Sequence, residues 1–377
     1  MEPESHGGMW LRGKTIGRGS FGTVSLATAK KKSNKRRNHL PRLMAVKWAE
    51  VSHSGTLQKE REILTRFEGC PYILRCYGDE ITTKNGELTY NVLLEYASGG
   101  TLASRIKNSC GGLPEADVKR HTRSILQGLD HIHNRGYVHC DIKPQNILLV
   151  SSSSSPFASS HDDYVAKIAD FGSAKNTMQA QRKRKKERHF FSLRGTPLYM
   201  SPESVLRKEQ EAPSDIWALG CVVAEMISGK PAWNCEPHMD VEELLSLIGS
   251  GRESPETPSE MSKEGKDFLK RCFVKPSMFR WTAAMLLHHP FVSEDPDGSK
   301  EVKSVQVHTA PELSNGTKVQ LAGSSVEESA LGGRKRRRIN GYNESPIGDD
   351  GLKPVSKGSI TTTQQDSCSV KRFAAAT

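Results

Sequence analysis

The segment HCDIKPQN (139–146) sets a carboxylate at Asp141, an ammonium two residues later at Lys143 and a carboxamide five residues later at Asn146. A carboxylate beside a hydroxyl can orient it and accept its proton, and a carboxamide oxygen can coordinate a divalent cation. A second carboxylate follows 29 residues after Asp141, in ADFG (169–172), where Gly172 leaves Asp170 room for a backbone turn. Asn146 and Asp170 form the kind of oxygen pair that magnesium takes together with substrate phosphates. Upstream, Lys47 lies inside the apolar run MAVK, where an unpaired ammonium would be costly. It needs an anion, either phosphate or a carboxylate from the next helical stretch, where Glu60 and Glu62 are the candidates. Glu60 is preferred, because its spacing before Ile63 and Leu64 is expected to turn it away from that apolar pair.

Gly17, 30 residues before Lys47, opens GRGSFGTV (17–24), which fits G-x-G-x-x-G-x-V at every position. Glycines there let the backbone approach phosphate oxygens and present N–H donors. Alone the motif is weak, since plain hairpins and dinucleotide-binding turns share it. A dinucleotide site needs a helix next and an acidic residue about 20 positions on. Here TVSLATA reads as a strand, which favours a hairpin lid over phosphates. GTPLYMSPE (195–203) closes the set, with Glu203 33 residues after Asp170. Each motif has a bland reading by itself; five in one order at these intervals do not.

The elements that must position these residues follow from periodicity. Residues 10–26 read as strand, tight turn and strand, 43–51 as a strand, and 90–96 as an apolar strand broken by ASGGTL. Between them Leu57, Ile63, Leu64 and Phe67 fall near helical spacing in 56–67. In the stretch 117–136, Val118, Ile125, Leu129 and Ile132 share a helix face that stops at Asn134 and Gly136. Residues 215–229 are apolar nearly all round, which predicts a buried helix. NILLV and YVAKIAD flank a serine-rich surface excursion over 151–163. Strands first and helices after predict an α+β, bilobal architecture. Its small β-rich lobe covers about 10–97 and its larger helical lobe about 98–292, behind a short extension over 1–9. Residues 293–377 hold two aromatics, Tyr342 and Phe373, and are expected to lack a core.

Composition narrows the function classes. Hydrophobic residues are 35% of the 377, low for a chain globular throughout. The net charge of +11 is concentrated in two runs, 30–42 and 175–194, which read as loop insertions. Neither interleaves aromatics along a recognition helix, so nucleic-acid binding is not expected. The eight cysteines form no CxxC pair. No N-terminal stretch resembles a signal peptide, and no apolar run approaches the roughly 18 residues of a membrane span, so reduced thiols in an intracellular protein are expected.

The five motifs resemble the eukaryotic protein-kinase family over residues 10–292. The resemblance implies ATP and Mg2+ as cofactors. Ile16, Gly17, Arg18, Gly19, Ser20, Phe21 and Gly22 would form the loop over the phosphates, and Lys47 would hold them while paired with Glu60. Asp141 would be the catalytic base or hydroxyl-orienting residue, Lys143 would stabilise the transferred phosphoryl group, and Asn146 and Asp170 would bind the metal. Val24, Ala45 and Leu148 would sandwich the adenine, with Leu94 behind it and Glu95, Tyr96 and Ala97 as the hinge. Thr196 would tie the substrate-positioning loop to Asp141 and Lys143, Glu203 would pair with Arg280, and Asp215 would brace the catalytic loop.

Lys143 two residues after Asp141, with GTPLYM downstream, is similar to serine/threonine kinases. HCDIKPQNILL, GTPLYMSPE, DIWALGCVVAEM and RWTAAMLLHHPFV resemble the short, MEKK-like plant mitogen-activated protein kinase kinase kinases. That implies a MAP kinase kinase as protein substrate. A kinase of another cascade, a silent pseudokinase scaffold and a basic nucleic-acid binder are the competing readings. The pseudokinase would show by loss of Lys47, an aspartate or the glycines, and none is lost.

Cys140 departs from the family, which mostly carries arginine there to pair with a phosphate on the activation loop. The expectation is intact chemistry with weaker control by activation-loop phosphorylation, including at Thr177 and Ser192. The run 182–188 reads as lengthening that loop. The five basic residues 334–338 read as a nuclear-import signal, which predicts a nuclear and cytoplasmic protein. Thr257-Pro258 and Ser345-Pro346 read as proline-directed phosphorylation sites. The oligomeric state stays open.

Overall fold

Period-two burial builds the first layer. In β3 (Leu43–Glu50), Met44 and Val46 pack on one face of the sheet while Ala45 and Lys47 point to the other. The computed structural model describes residues 8–19, 22–30, 40–152, 164–177, 194–234 and 239–293. Within these, β1 (Trp10–Gly19), β2 (Gly22–Ala29), β3, β4 (Cys76–Lys84) and β5 (Glu87–Leu94) form one antiparallel sheet in the order β1-β2-β3-β5-β4. Its outer face is closed by Trp10, Ala27, Met44, Val46 and Leu93. There the buried Arg12 guanidinium lies 4.4 Å over the Trp48 ring and donates to Asn91 Oδ1.

Helix α1 (Gly55–Arg66) crosses the inner face and buries Leu57, Glu60, Ile63 and Leu64. Its bounds lie one residue from the expected 56–67. The expected strand over 90–96 is β5, which starts at Glu87 and stops before Glu95. Strand β4 escaped the sequence reading because CYGDEITTK is polar, interrupted by Gly78, and buries little but Thr82.

The second half is helical. Helix α2 (Leu102–Lys107) opens under a Thr101 cap, and α3 (Glu115–Asn134) follows Pro114, with Glu115 and Asp117 in its first turn. Gly136, at φ 71°, turns the chain into β6 (Tyr137–Val138). Then come β7 (Ile147–Ser151), β8 (Tyr164–Ile168) and β9 (Lys175–Asn176); β7 pairs with β8 and β6 with β9, both antiparallel. Helices α4 (Pro202–Arg207), α5 (Ala212–Ser228), α6 (Val241–Ser250), α7 (Lys263–Cys272) and α8 (Ala283–Leu287) complete the order. Helix α5 is buried on nearly every side from Ser214 to Ile227 and ends at Gly229, φ 70°. It begins three residues before the expected start. Helix α6 was not anticipated; its signal was the Asp240–Glu243 capping box, in which each side chain takes the other's backbone N–H. Every described residue falls within one unit, Met1–Asp295. Among the described residues no helix is long and apolar enough to cross a membrane.

Candidate active site

Three backbone crossings bring the motif residues together. Lys47 sits in β3 opposite Val24 of β2 and Val92 of β5, buried between the strands and helix α1. Its Nζ meets Glu60 Oε2 at 2.6 Å and Asp170 Oδ1 at 3.1 Å. Glu60 is 2% exposed while Glu62 faces solvent, so the pair formed is the preferred one. The reason differs from the expected one. Glu60 lies one turn before Leu64, so it shares the buried face instead of turning away, and Lys47, with the Phe171 backbone N–H, makes that position tolerable.

Electrostatics follow from this crowding. Burial pulls the Lys47 ammonium down, but the Glu60 and Asp170 carboxylates outweigh it and hold it above its ordinary value. Burial pushes Glu60 up by more than Lys47 offsets. For Asp170 burial also pushes up, but Lys47 prevails and the carboxyl lies below its ordinary value.

The second crossing is the loop around Asp141. Thr196 Oγ1 donates to Asp141 Oδ1 at 2.8 Å, Lys143 Nζ donates to Thr196 Oγ1 at 2.8 Å, and Lys143 meets Asp141 Oδ2 at 2.9 Å. Asn146 Nδ2 donates to Asp141 O and Oδ2, at 2.8 and 3.0 Å, which leaves its amide oxygen for another partner. Cys140 and Asp170 adopt left-handed backbone, φ 69° and 63°, which non-glycine residues rarely do. Asp215 enforces the first: its carboxylate accepts from the backbone N–H of His139 and Cys140, both at 2.9 Å, and meets His133 Nε2 at 2.9 Å.

The third is the paired ends of β1 and β2, where Gly17 faces Val24 and Gly19 faces Gly22. Among the described residues nothing lies within 4 Å of a Cβ built on Gly19, so none of them demands glycine there. Gly22 is different, since its Cβ would meet Trp48 O at 2.7 Å. Ser20 and Phe21 lie outside the described residues. Ile16 is 43% exposed at the mouth. Ala45 and Leu94 are buried and pair in register, and Val24 and Leu148 are half-buried against the same core. The Glu95 side chain turns from this surface to Lys167 Nζ, 2.9 Å from each carboxylate oxygen. Any contribution of Glu95 to a nucleotide is therefore through its backbone.

The donor set suits a hard cation. Among the described residues no group of three or more His, Cys, Asp or Glu side chains could hold a metal. A cation at Asn146 and Asp170 would meet amide and carboxylate oxygens only, and would need phosphate oxygens to complete its shell.

The protein kinase domain model matches residues 10–292. The chain belongs to the protein kinase family. It is 47% identical to mitogen-activated protein kinase kinase kinase 20 of Arabidopsis thaliana, over 76% of this chain and 79% of that one. It is 40% identical to kinase kinase kinase 18 of the same plant, over 76% and 79%, and 37% identical to kinase kinase kinase 17, over 76% and 70%. The chain is thus a protein serine/threonine kinase, an enzyme of a family that uses ATP and a divalent metal and acts on protein substrates. The silent pseudokinase is not favoured.

Several residues that this kinase uses to hold its site were missed in the sequence. His139 sends Nε2 to Ala169 O, accepts the Asp141 N–H at Nδ1, and stacks edge-on against Phe171. Lys59 and Arg194 hold the turn after Asp170. No motif letter marked the last two: Lys59 lies among the mixed charges of 56–67, and Arg194 ends the basic run 175–194. Most of both basic runs, Ser192 and the segments 182–188 and 334–338 lie outside the described residues.

Proposed function

We propose that the protein is a MAP kinase kinase kinase that transfers the γ-phosphoryl group of Mg-ATP to serine or threonine hydroxyls of a MAP kinase kinase. The observation that carries the chemistry is the closed triangle of Asp141, Lys143 and Thr196 beside the Lys47–Glu60–Asp170 cluster. Asp141 orients the acceptor hydroxyl and takes its proton as the oxygen–phosphorus bond forms and the bond to the β-phosphate oxygen breaks. Lys143 turns from Thr196 to the charge on the transferred group. Lys47, kept in place by Glu60, would hold the α- and β-phosphates near the glycine-rich ends of β1 and β2. Asn146 and Asp170 would hold the magnesium ion, which when bound would neutralise phosphate charge. Positioning and electrostatics supply most of the rate.

The names of the relatives support the substrate class. Lys47→Met and Asp141→Asn are expected to abolish transfer, by about a thousandfold or more, with the fold retained. The assay is phosphorylation of a panel of kinase kinases with the modified residues mapped; near-normal transfer by either variant refutes the assignment. The basic run 334–338 supports a nuclear pool alongside a cytoplasmic one. Neutralising it should shift a fluorescent fusion out of the nucleus, and an unchanged distribution refutes that part.

A further inference from the structure

After Asp170 the chain makes a single 3-10 turn, Phe171–Ser173, in which only the Phe171 carbonyl is taken, by the N–H of Ala174 at 3.1 Å. The next three carbonyls are answered from elsewhere. Lys59 Nζ donates to Gly172 O at 3.1 Å and to Ala174 O at 2.5 Å. Arg194 Nη1 donates to Ser173 O at 3.2 Å. Two cations from distant points of the sequence thus hold three successive carbonyls.

Both cations are anchored. Lys59 adjoins Glu60 on α1, so one helix grips Asp170 from two sides: through Lys47 in front and through residues 172–174 behind. The Arg194 carbonyl accepts from Gln210 Nε2 at 2.6 Å. Gly195, at φ 101°, lies so close to Cys140 O that any Cβ would clash. Burial, with Arg194 nearby, lowers the Lys59 pKa, so two like charges are held together against their repulsion. Lys175, the residue after Ala174, reaches Glu211 at 3.6 Å. Lys59, Arg194 and Lys175 are therefore answered by protein carbonyls and a carboxylate. Asp170, strained at φ 63°, keeps that conformation only while its surroundings over-determine it.

We propose that Lys59 is a positioning residue for phosphoryl transfer: with Arg194 it clamps residues 172–174 and keeps Asp170 facing Lys47 without a phosphate on the activation segment. This rests on the reading of Asp170 as the metal-holding carboxylate, and it means that no arginine is missed at Cys140, because the turn after Asp170 is held by cations that already have protein partners.

The test uses the full chain treated with phosphatase. Lys59→Met should lose about tenfold to a hundredfold in kcat, with KM for ATP changed by less than about threefold. Lys59→Arg, which keeps the charge and offers forked donors, should recover to within about threefold of wild type. Arg194→Ala, at an exposed residue, should fold normally and lose about threefold to tenfold. Amide hydrogen exchange in residues 171–176, read without nucleotide, should quicken by about tenfold in Lys59→Met. That measurement reports the clamp even where transfer itself fails, so it separates this proposal from the functional one. Unchanged exchange in Lys59→Met, an unchanged kcat, failure of Lys59→Arg to recover, or loss of wild-type activity on dephosphorylation each overturns it.

Discussion

Two buried ion pairs in this kinase look alike and are built to opposite ends. Arg280 and Glu203, with side chains 0% and 4% exposed, meet in a fork at 2.6 and 3.0 Å. The other guanidinium donors reach Val274 O at 3.0 Å and Pro213 O at 2.7 Å, and the Trp217 ring lies 5.1 Å away. One cation meets one anion and the donors are used up. Lys47 faces two carboxylates, and the Asp170 side chain is 31% exposed. One cation meets two anions, and the surplus looks outward. The balanced pair closes a structure; the unbalanced one leaves an attraction for a further cation and its ligand.

The largest effect should come from opening the balanced pair. Arg280→Ala leaves Glu203 buried without its partner and should cost about 3–5 kcal/mol, read as a lower urea midpoint. A loss under about 1 kcal/mol would mean that the fork is idle, and the contrast with Lys47 would fail. Glu60→Gln removes one of the two anions on Lys47 and keeps the side-chain volume. Asp170 still answers the ammonium, so stability should change by less than about 1 kcal/mol while kcat/KM falls about tenfold to a hundredfold. Thermal melting and steady-state kinetics on one preparation decide; a large stability loss with unchanged kinetics would assign Glu60 to the structural class.

The same contrast explains what the sequence could reveal. Residues whose chemistry is rare in its setting were legible: a lysine in an apolar strand, an aspartate before Phe-Gly, glycines at fixed intervals. Helix α1 and the buried helix α5 were legible because apolar residues mark their faces. Glu60 was found for the wrong reason, since a carboxylate on a buried face breaks the periodicity rule that singled it out. Strand β4 was hidden because only Thr82 is buried among its polar residues. Lys59 and Arg194 were hidden because their partners are backbone carbonyls, which carry no side-chain signature. The Asp215 brace needed the resemblance, because a lone aspartate opening an apolar helix reads first as a cap.

His121 supplies the third case, a buried ionisable group with no ion-pair partner among the described residues. It lies on α3 at 3% exposure, and its Nδ1 meets no hydrogen-bond partner among the described residues. Burial, with Arg120 and Arg105 adding and Asp117 opposing, lowers its pKa from 6.5 to about 4. As the pH falls below 6.5 the unfolded chain takes up this proton first, so the native state loses ground down to about pH 4. Above 6.5 both states are neutral and the term is flat. By linkage the loss should be about 2 kcal/mol at pH 5, less than that expected for Arg280→Ala. His121→Leu should abolish that part of the slope, so urea unfolding of both proteins at pH 7.5 and pH 5 isolates it. If the two lose stability in parallel, His121 takes up its proton as readily in the native state as in the unfolded one, and burial without a partner does not suffice to silence a charge in this core.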